Sequence, residues 1–421
     1  MSVSTPLPAT GRPAKIKKSP ARLVLLLTAV ASVGYLCRVD ITVVAPRLMS
    51  DLHLSNGQMG TVFGAFLLGY TLLQVPGGWL AGRVPTRALF FALALGWAAL
   101  TAAPALGLKM GWGVAAFPAL VAMRFVLGAL AAPTYPAASR AVSLSVEPGK
   151  QGRANGTVLA SIGIGSALAP PLLGFVTLHG GWRAAMGLAA LLAATAGIAW
   201  RCWCPDTAVT SARPYERTTV RDAQPFPRRN FCFLTASYAL QGYVGYVFVF
   251  WFFLYLVQVR RFQLLHAAWL TTLPWLLSLV VIPLGGVASD WAVRQWGQIW
   301  GRRSLPMLAL LFAAAALWSG AHTASGLVAA IALAVSTALV LATEGPYWAT
   351  MTLISGARSG TAGGIMNFGC NLGGMVSPIV TPWLAARVGW ETALGIAAAL
   401  TVVAALLWLG VAANPNPSEA A

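Results

Sequence analysis

The sequence predicts an all-α polytopic membrane protein, with twelve transmembrane helices arranged as two parallel six-helix repeats. Three observations carry that prediction. Of 421 residues, 58% are hydrophobic and only 9% are charged, against about 25% charged in soluble domains. Apolar segments recur near 23–48, 58–81, 88–107, 113–137, 154–178, 184–203, 231–257, 266–288, 305–321, 326–350, 361–386 and 391–413, each near the ~20 residues needed to cross a bilayer. The third observation is an internal echo at constant offset. GWRAAMGLAAL from Gly181 returns as GWETALGIAAAL from Gly389, with Trp182 and Trp390 separated by 208 residues, as are Pro170 and Pro378. Such an offset indicates parallel repeats, related by an axis along the membrane normal.

Taken in order, a basic tail, 1–22, precedes the N-terminal half, 23–204. Segment 1 is too long for a cleavable signal. It contains GYLCRVDITVV, which puts Arg38 deep in an apolar run. Segment 2 ends in Pro76-Gly77-Gly78, and segment 4 holds a second deep arginine, Arg124, in LVAMRFVLG. Segment 5 contains Pro170-Pro171, and segment 6 ends at Cys202 and Cys204. A Pro- and Arg-rich polar stretch, 205–229, then connects to the C-terminal half, 230–413. Segment 8 closes on Pro283-Leu284-Gly285-Gly286, a looser echo of segment 2. Segment 10 carries Glu344, and segment 11 carries Gly373-Gly374. Proline and glycine pairs at mid-span permit bending and close helix contact, or reflect ordinary membrane packing. The tail 414–421 follows.

The net charge of +18 raises nucleic-acid binding as a reading, but its placement argues against that. With the N-terminus inside, 20 Lys and Arg fall on the tails and even-numbered loops, and six on the odd-numbered loops. This is the positive-inside pattern, with both termini cytoplasmic. Contact with anionic membrane lipid is a secondary consequence. The five cysteines form no metal-binding spacing, and the four histidines, His53, His179, His266 and His322, are scattered at helix ends and loops. No nucleotide-binding loop is present, so the reading is of a non-enzyme with no cofactor and no metal.

An arginine near the bilayer centre costs at least ~2.5–3.5 kcal/mol on insertion scales and cannot shed its charge. Arg38 and Arg124 therefore face a bundle interior or a wet cavity, where each meets an anion, or else bridges helices and caps carbonyls. Tyr35 and Arg38 are three apart and share a helical face. A guanidinium fork beside a phenol suits a carboxylate.

The repeat and the loops resemble the major facilitator superfamily. That family's loop between helices 2 and 3 carries a glycine, an aspartate and then basic residues. The first copy here, GGWLAGRVPTR, has Gly82 where the aspartate is expected; the second, GGVASDWAVRQWGQIWGRR, keeps Asp290 and Arg294. The resemblance implies a conformational latch at Asp290 and Arg294, weaker on the first half. Asp290 in a helix-terminal ion pair is the structural alternative.

Within the superfamily the chain is similar to the anion:cation symporters. Four stretches carry that likeness: Tyr35-x-x-Arg38 with Ala45-Pro46; Ala65-Phe66, Tyr70, Gln74 and Pro76-Gly77-Gly78; Arg124-Phe125, Gly128 and Pro133; and Glu344-Gly345-Pro346-Tyr347-Trp348 with Gly364 to Gly374 and Ser377-Pro378. The resemblance implies substrate contacts at Arg38, Tyr35, Tyr70, Trp348, Asn367 and Asn371, and a coupling role for Arg124. Interfacial anchoring is the alternative for the aromatics, and interhelix hydrogen bonds for the asparagines. Tyr238, Gln241 and Gly245 make one face of segment 7, with Tyr246 just beside it; that stripe lines the cavity or packs.

The chain departs from the family at the proton carriers. The symporters place a glutamate seven residues beyond the helix 4 arginine, and here that residue is Ala131. An acid often precedes the helix 1 arginine, and here that residue is Cys37. Two membrane acids remain. Asp40 lies about 200° around the helix from Arg38, with ion-pair and carrier roles both open. Glu344 aligns locally with Ala131, because Ala131-Ala132-Pro133-x-Tyr135 reads against Glu344-Gly345-Pro346-Tyr347. It is the leading candidate proton carrier, with a permanent structural pairing as the other reading.

The expectation is a transporter of a sugar acid or related carboxylate in a plasma membrane, by resemblance a bacterial inner membrane. It binds substrate at the midplane by alternating access and imports it with protons. Uncoupled uniport or anion exchange is the alternative, because the usual acids are absent. A non-transporting sensor and a multidrug exporter are the rivals, the latter disfavoured by two central cations. A monomer suffices for this fold.

Overall fold

The computed structural model describes residues 20–107, 115–146, 151–204, 228–355 and 359–412. The expected tail 414–421, nearly all of the tail 1–22, and all but Arg228 and Arg229 of the loop 205–229 lie outside the described residues. Among the described residues the fold is helical throughout, without strands. In lipid each backbone group must find its partner within its own segment, so the apolar runs become helices.

The helices are α1 (Pro20–Leu52), α2 (Asn56–Leu72), α3 (Gln74–Arg83), α4 (Thr86–Gly107), α5 (Ala116–Ala131), α6 (Thr134–Ser145), α7 (Gln151–Leu159), α8 (Ser161–Trp203), α9 (Arg228–Gln258), α10 (Leu264–His322), α11 (Gly326–Ala342), α12 (Glu344–Ser355) and α13 (Ser359–Leu407). Three interruptions have one cause. A proline ring displaces the carbonyl four residues earlier and offers it no N–H. Pro76, Pro136 and Pro346 stand four residues after Leu72, Ala132 and Ala342, where α2, α5 and α11 give way to α3, α6 and α12. The α2–α3 junction bends by 51°.

Three of the long helices are divided instead by a glycine. Gly181, Gly297 and Gly389 have φ of 78°, 75° and 84°, a left-handed conformation that glycine adopts without steric cost. Gly181 and Gly389 stand at the repeat offset, so the internal echo in the sequence marks the same backbone turn in each half. Counting α2–α3 as one bent span, nine apolar spans among the described residues, divided at three glycines, yield twelve rods, in agreement with the twelve apolar segments.

Small residues set the packing. In the N-terminal half a Cβ on Gly69 would run into the Phe125 carbonyl, and one on Gly128 into that of Phe66, so α2 and α5 approach backbone to backbone. In the C-terminal half Gly242 lies against Cys370 and Gly373 against Ala239, which seats α9 on α13. The halves meet along α2–α13 and α8–α10. Gly60 lies against the Pro378 carbonyl and Gly174 against Ala268, and Thr272 Oγ1 donates to the Ala167 carbonyl at 3.1 Å. Phe63 stacks on Phe250 at 5.1 Å across the same joint. Large apolar side chains such as Leu106, Phe175 and Phe312 are exposed around the outside, where a bilayer supplies their partners.

Candidate functional site

Arg38 sits midway along α1, where the chain has no means of carrying a guanidinium to the surface. It is only 7% exposed. Four rings enclose it: Tyr35 on its own helix at 4.9 Å from Cζ, Phe66 at 5.0 Å and Tyr70 at 5.2 Å on α2, and Tyr246 at 5.4 Å on α9. Ring faces attract a cation but do not neutralise it. Its Nη2 donates to the Tyr246 hydroxyl at 2.7 Å, and its Nε is buried without a partner. No carboxylate among the described residues pairs with it.

The Tyr246 hydroxyl donates in turn to Asn371 Oδ1 at 3.2 Å, and Asn371 Nδ2 donates to the Asn367 carbonyl at 2.9 Å. A polar chain therefore crosses from the N-terminal to the C-terminal half. Tyr246 was only placed beside the polar stripe by sequence, although the signal was there. Gly34-Tyr35-x-x-Arg38 on α1 and Gly242-Tyr243-x-x-Tyr246 on α9 stand 208 residues apart. Arg38 thus bonds to its own counterpart in the repeat, which puts the contact on the axis relating the halves.

Arg124 on α5 has the opposite surroundings. Its Nη2 reaches Asp40 Oδ1 at 2.5 Å, and its Nη1 donates to the Cys37 carbonyl at 3.0 Å. Asp40 is fully buried and also accepts from the Ile41 backbone N–H. The turn of α1 that aims Arg38 at the centre aims Asp40 at α5. The structure therefore brings Arg124 and Asp40 together, as a closed ion pair within one half.

Glu344, the first residue of α12, faces α9. Tyr238 donates its hydroxyl to Oε2 at 2.7 Å, and Gln241 Nε2 donates to Oε1 at 3.0 Å. Both donors are neutral, and no cation among the described residues pairs with this carboxyl. Cys370 Sγ donates to Gln241 Oε1 at 3.9 Å. Beneath this group Tyr347 and Ser237 share a hydrogen bond at 2.6 Å. Trp348 follows Glu344 by one turn and is 40% exposed. The expected stripe on segment 7 thus divides, with Tyr238 and Gln241 serving Glu344 and Tyr246 serving Arg38.

The expected latch residues stand apart from this centre. Asp290 pairs with Arg302 at 2.8 Å across the Gly297 turn, inside the C-terminal half, and Arg294 is exposed nearby.

As a whole the arrangement can hold an anion on Arg38 between aromatic walls from both halves. It can also hold a proton on Glu344 a short way across the same centre. A family model described as Major Facilitator Superfamily matches residues 24–378. Among curated proteins, the chain is 29% identical to a probable sulfoacetate transporter of Cupriavidus necator over 91% of each chain. It is 24% identical to a hexuronate transporter of Bacillus subtilis, over 92% of this chain and 93% of that one. It is 25% identical to a D-galactonate transporter of Escherichia coli, over 92% and 94%. Among solved structures it is similar in fold to a bacterial homologue of the human lysosomal transporter Spinster, in an inward-facing and occupied conformation. That likeness has a TM-score of 0.76 at 18% identity, over 93% of this chain and 97% of that one. The inward open xylose transporter of Escherichia coli has the same TM-score at 16% identity, over 95% and 98%.

Proposed function

The chain belongs to the Major Facilitator Superfamily, and from that premise we propose that it carries a small organic anion, a sugar acid or related carboxylate, across the membrane by alternating access. One observation carries the reading of the site: Arg38 is a buried cation, caged by rings from both halves, with no carboxylate of its own. A charge left unpaired in a bundle interior is what an anionic substrate completes. Tyr35, Tyr70 and Tyr246 offer hydroxyls and ring faces around it. Asn371 and Asn367 supply polar groups from the C-terminal half, and Trp348 an indole. The relatives named for sulfoacetate, hexuronate and galactonate all carry acids, which supports the same class. Arg124 is assigned to holding α1 against α5 through Asp40.

Import is coupled to protons through Glu344, which stands in for the acid missing at Ala131. Uncoupled exchange is the second reading, favoured by Ala131 and Cys37 standing where the family places acids. Asp290 and Arg302 fasten the tail-side turn of the C-terminal half. Both termini lie in the cytoplasm of a bacterial cell, the protein acts in its inner membrane as a monomer, and an impermeant thiol reagent applied to intact cells leaves cysteines engineered at positions 215 and 418 unlabelled. Labelling of either one reverses the orientation.

Reconstituted vesicles test the transport reading. Vesicles loaded with D-galactonate take up labelled galactonate by exchange, and Arg38→Lys loses most of that uptake because an ammonium cannot reproduce the guanidinium fork. Ligand binding without any vesicle uptake would make the protein a sensor. Uptake of lipophilic cations in place of acids would make it a multidrug exporter.

A further inference from the structure

The middle of the described spans contains four charged side chains: Arg38, Asp40, Arg124 and Glu344. Asp40 and Arg124 close on each other at 2.5 Å and sum to zero in every state in which they stay paired. Only Arg38 and Glu344 remain to set the charge of the site. They stand on opposite walls, Arg38 on α1 and Glu344 on α12. Arg38 reaches Asn371 through Tyr246, the adjacent Cys370 reaches Glu344 through Gln241, and neither Arg38 nor Glu344 has an oppositely charged contact partner among the described residues. The groups around Glu344 add no further charge. Tyr238 and Gln241 hydrogen-bond to it from α9, Cys370 of α13 bonds to Gln241 behind them, and Tyr347 of its own helix bonds to Ser237. α11 contains no titratable residue, and α10 meets this turn at Gly286, against Gly345.

We propose that this inventory makes transport electroneutral and selects monovalent anions, one anion travelling with one proton. The inference rests on the organic-anion reading above and deepens it. The empty site is neutral when Glu344 is ionised, because Arg38 balances it. The fully loaded site is neutral again, with one monoanion on Arg38 and one proton on Glu344. Each half-loaded form has a net charge: minus one with the anion alone, plus one with the proton alone. Closing the centre around a net charge incurs the penalty of a buried, uncompensated ion, so the two neutral forms are the ones that cross. Coupling then follows from charge balance and requires no direct contact between proton and substrate. A dianion leaves one negative charge unmatched even when Glu344 is protonated. This chain therefore discriminates against aldarates and sulfoacetate in favour of aldonates and uronates, although sulfoacetate is named for one relative.

The test uses purified full-length protein in vesicles with three probes. D-galactonate is a monoanion, galactarate is the same skeleton with a second carboxylate, and sulfoacetate is a short dianion. An inward proton gradient drives galactonate accumulation, and an imposed membrane potential of either sign changes that accumulation less than about twofold. A cycle moving one net charge would shift the accumulation ratio about 50-fold per 100 mV. Galactarate and sulfoacetate compete with galactonate at least tenfold more weakly than unlabelled galactonate does. Glu344→Gln, nearly isosteric, loses far more of its proton-driven accumulation than of its galactonate exchange, because the empty variant carries an unbalanced Arg38. Potential-dependent galactonate accumulation, equal competition by the dianions, or accumulation surviving in Glu344→Gln would each overturn the charge inference while leaving anion transport standing. Absence of Arg38-dependent exchange for all three probes would overturn the organic-anion reading, and this inference with it.

Discussion

Arg38 and Arg124 lie in the same half of the molecule and are similarly hidden, at 7% and 4% exposure. Arg124 meets a carboxylate, Asp40, and a helix carbonyl. Arg38 meets four rings and one phenol, and its Nε is left without a partner. A closed pair tethers two helices of one half and has no unmet charge with which to attract a ligand. The cation on the axis between the halves has no carboxylate in contact with it until something negative arrives. On the proposed reading the same residue type is structural in one place and binds substrate in the other, and the neighbouring carboxylate makes the difference.

The largest effect that sharpens this contrast is on stability. Asp40→Asn strands Arg124 beside a neutral amide, and breaking a buried pair in this way costs about 3–5 kcal/mol. Thermal unfolding of the purified protein should show the largest loss of the series. Arg38→Gln breaks no contact ion pair, so it should cost less stability than Asp40→Asn. A melting temperature near the parent's is expected, together with loss of anion binding. If Arg38→Gln and Asp40→Asn destabilise equally, the two arginines do the same job and the contrast fails.

A smaller effect concerns the fork of Arg38. Arg38→Lys keeps the charge and leaves the melting temperature of the empty protein near the parent's, but weakens anion binding by about 1.5 kcal/mol or more, one charge-assisted hydrogen bond. Equilibrium binding of labelled galactonate reads this directly. The smallest effect belongs to Tyr246→Phe. It keeps the ring against Arg38 and removes one hydroxyl that bonds to Arg38 and Asn371, about 1 kcal/mol of linkage between the halves. A modest fall in thermal stability is expected, without loss of exchange. Loss of exchange in this variant would make Tyr246 an essential part of the binding site.

The fold was legible from hydropathy and from two kinds of punctuation. The breaks before Pro76, Pro136 and Pro346 follow from ring sterics and can be read from the letters. The turns at Gly181 and Gly389 are marked by the repeated Gly-Trp pair. Gly297 has no such partner, and its turn was not read. Within the site, Arg38 was legible because a permanent charge in an apolar run has few explanations. The pairing of Arg124 with Asp40 was not, because the two stand 84 positions apart on different helices and only the packing of α1 on α5 decides it. Tyr238 and Gln241 were visible as a polar stripe, yet nothing local to segment 7 shows that they converge on Glu344. Tyr246 was legible in principle from the 208-residue offset. Its aromatic character hid it, since an aromatic residue in a membrane helix is usually packing.

The central claim is that Arg38 is the open charge an organic anion closes, and ligand-dependent stabilisation measures it most directly. A ligand that binds only the folded state stabilises it by about 2.7 kcal/mol at one hundred times its dissociation constant. D-galactonate should therefore raise the melting temperature of the parent protein, leave that of Arg38→Gln unmoved, and still raise that of Asp290→Asn, whose carboxyl lies outside the site. A rise of equal size in Arg38→Gln would contradict the account, because the anion would then be held by some other group.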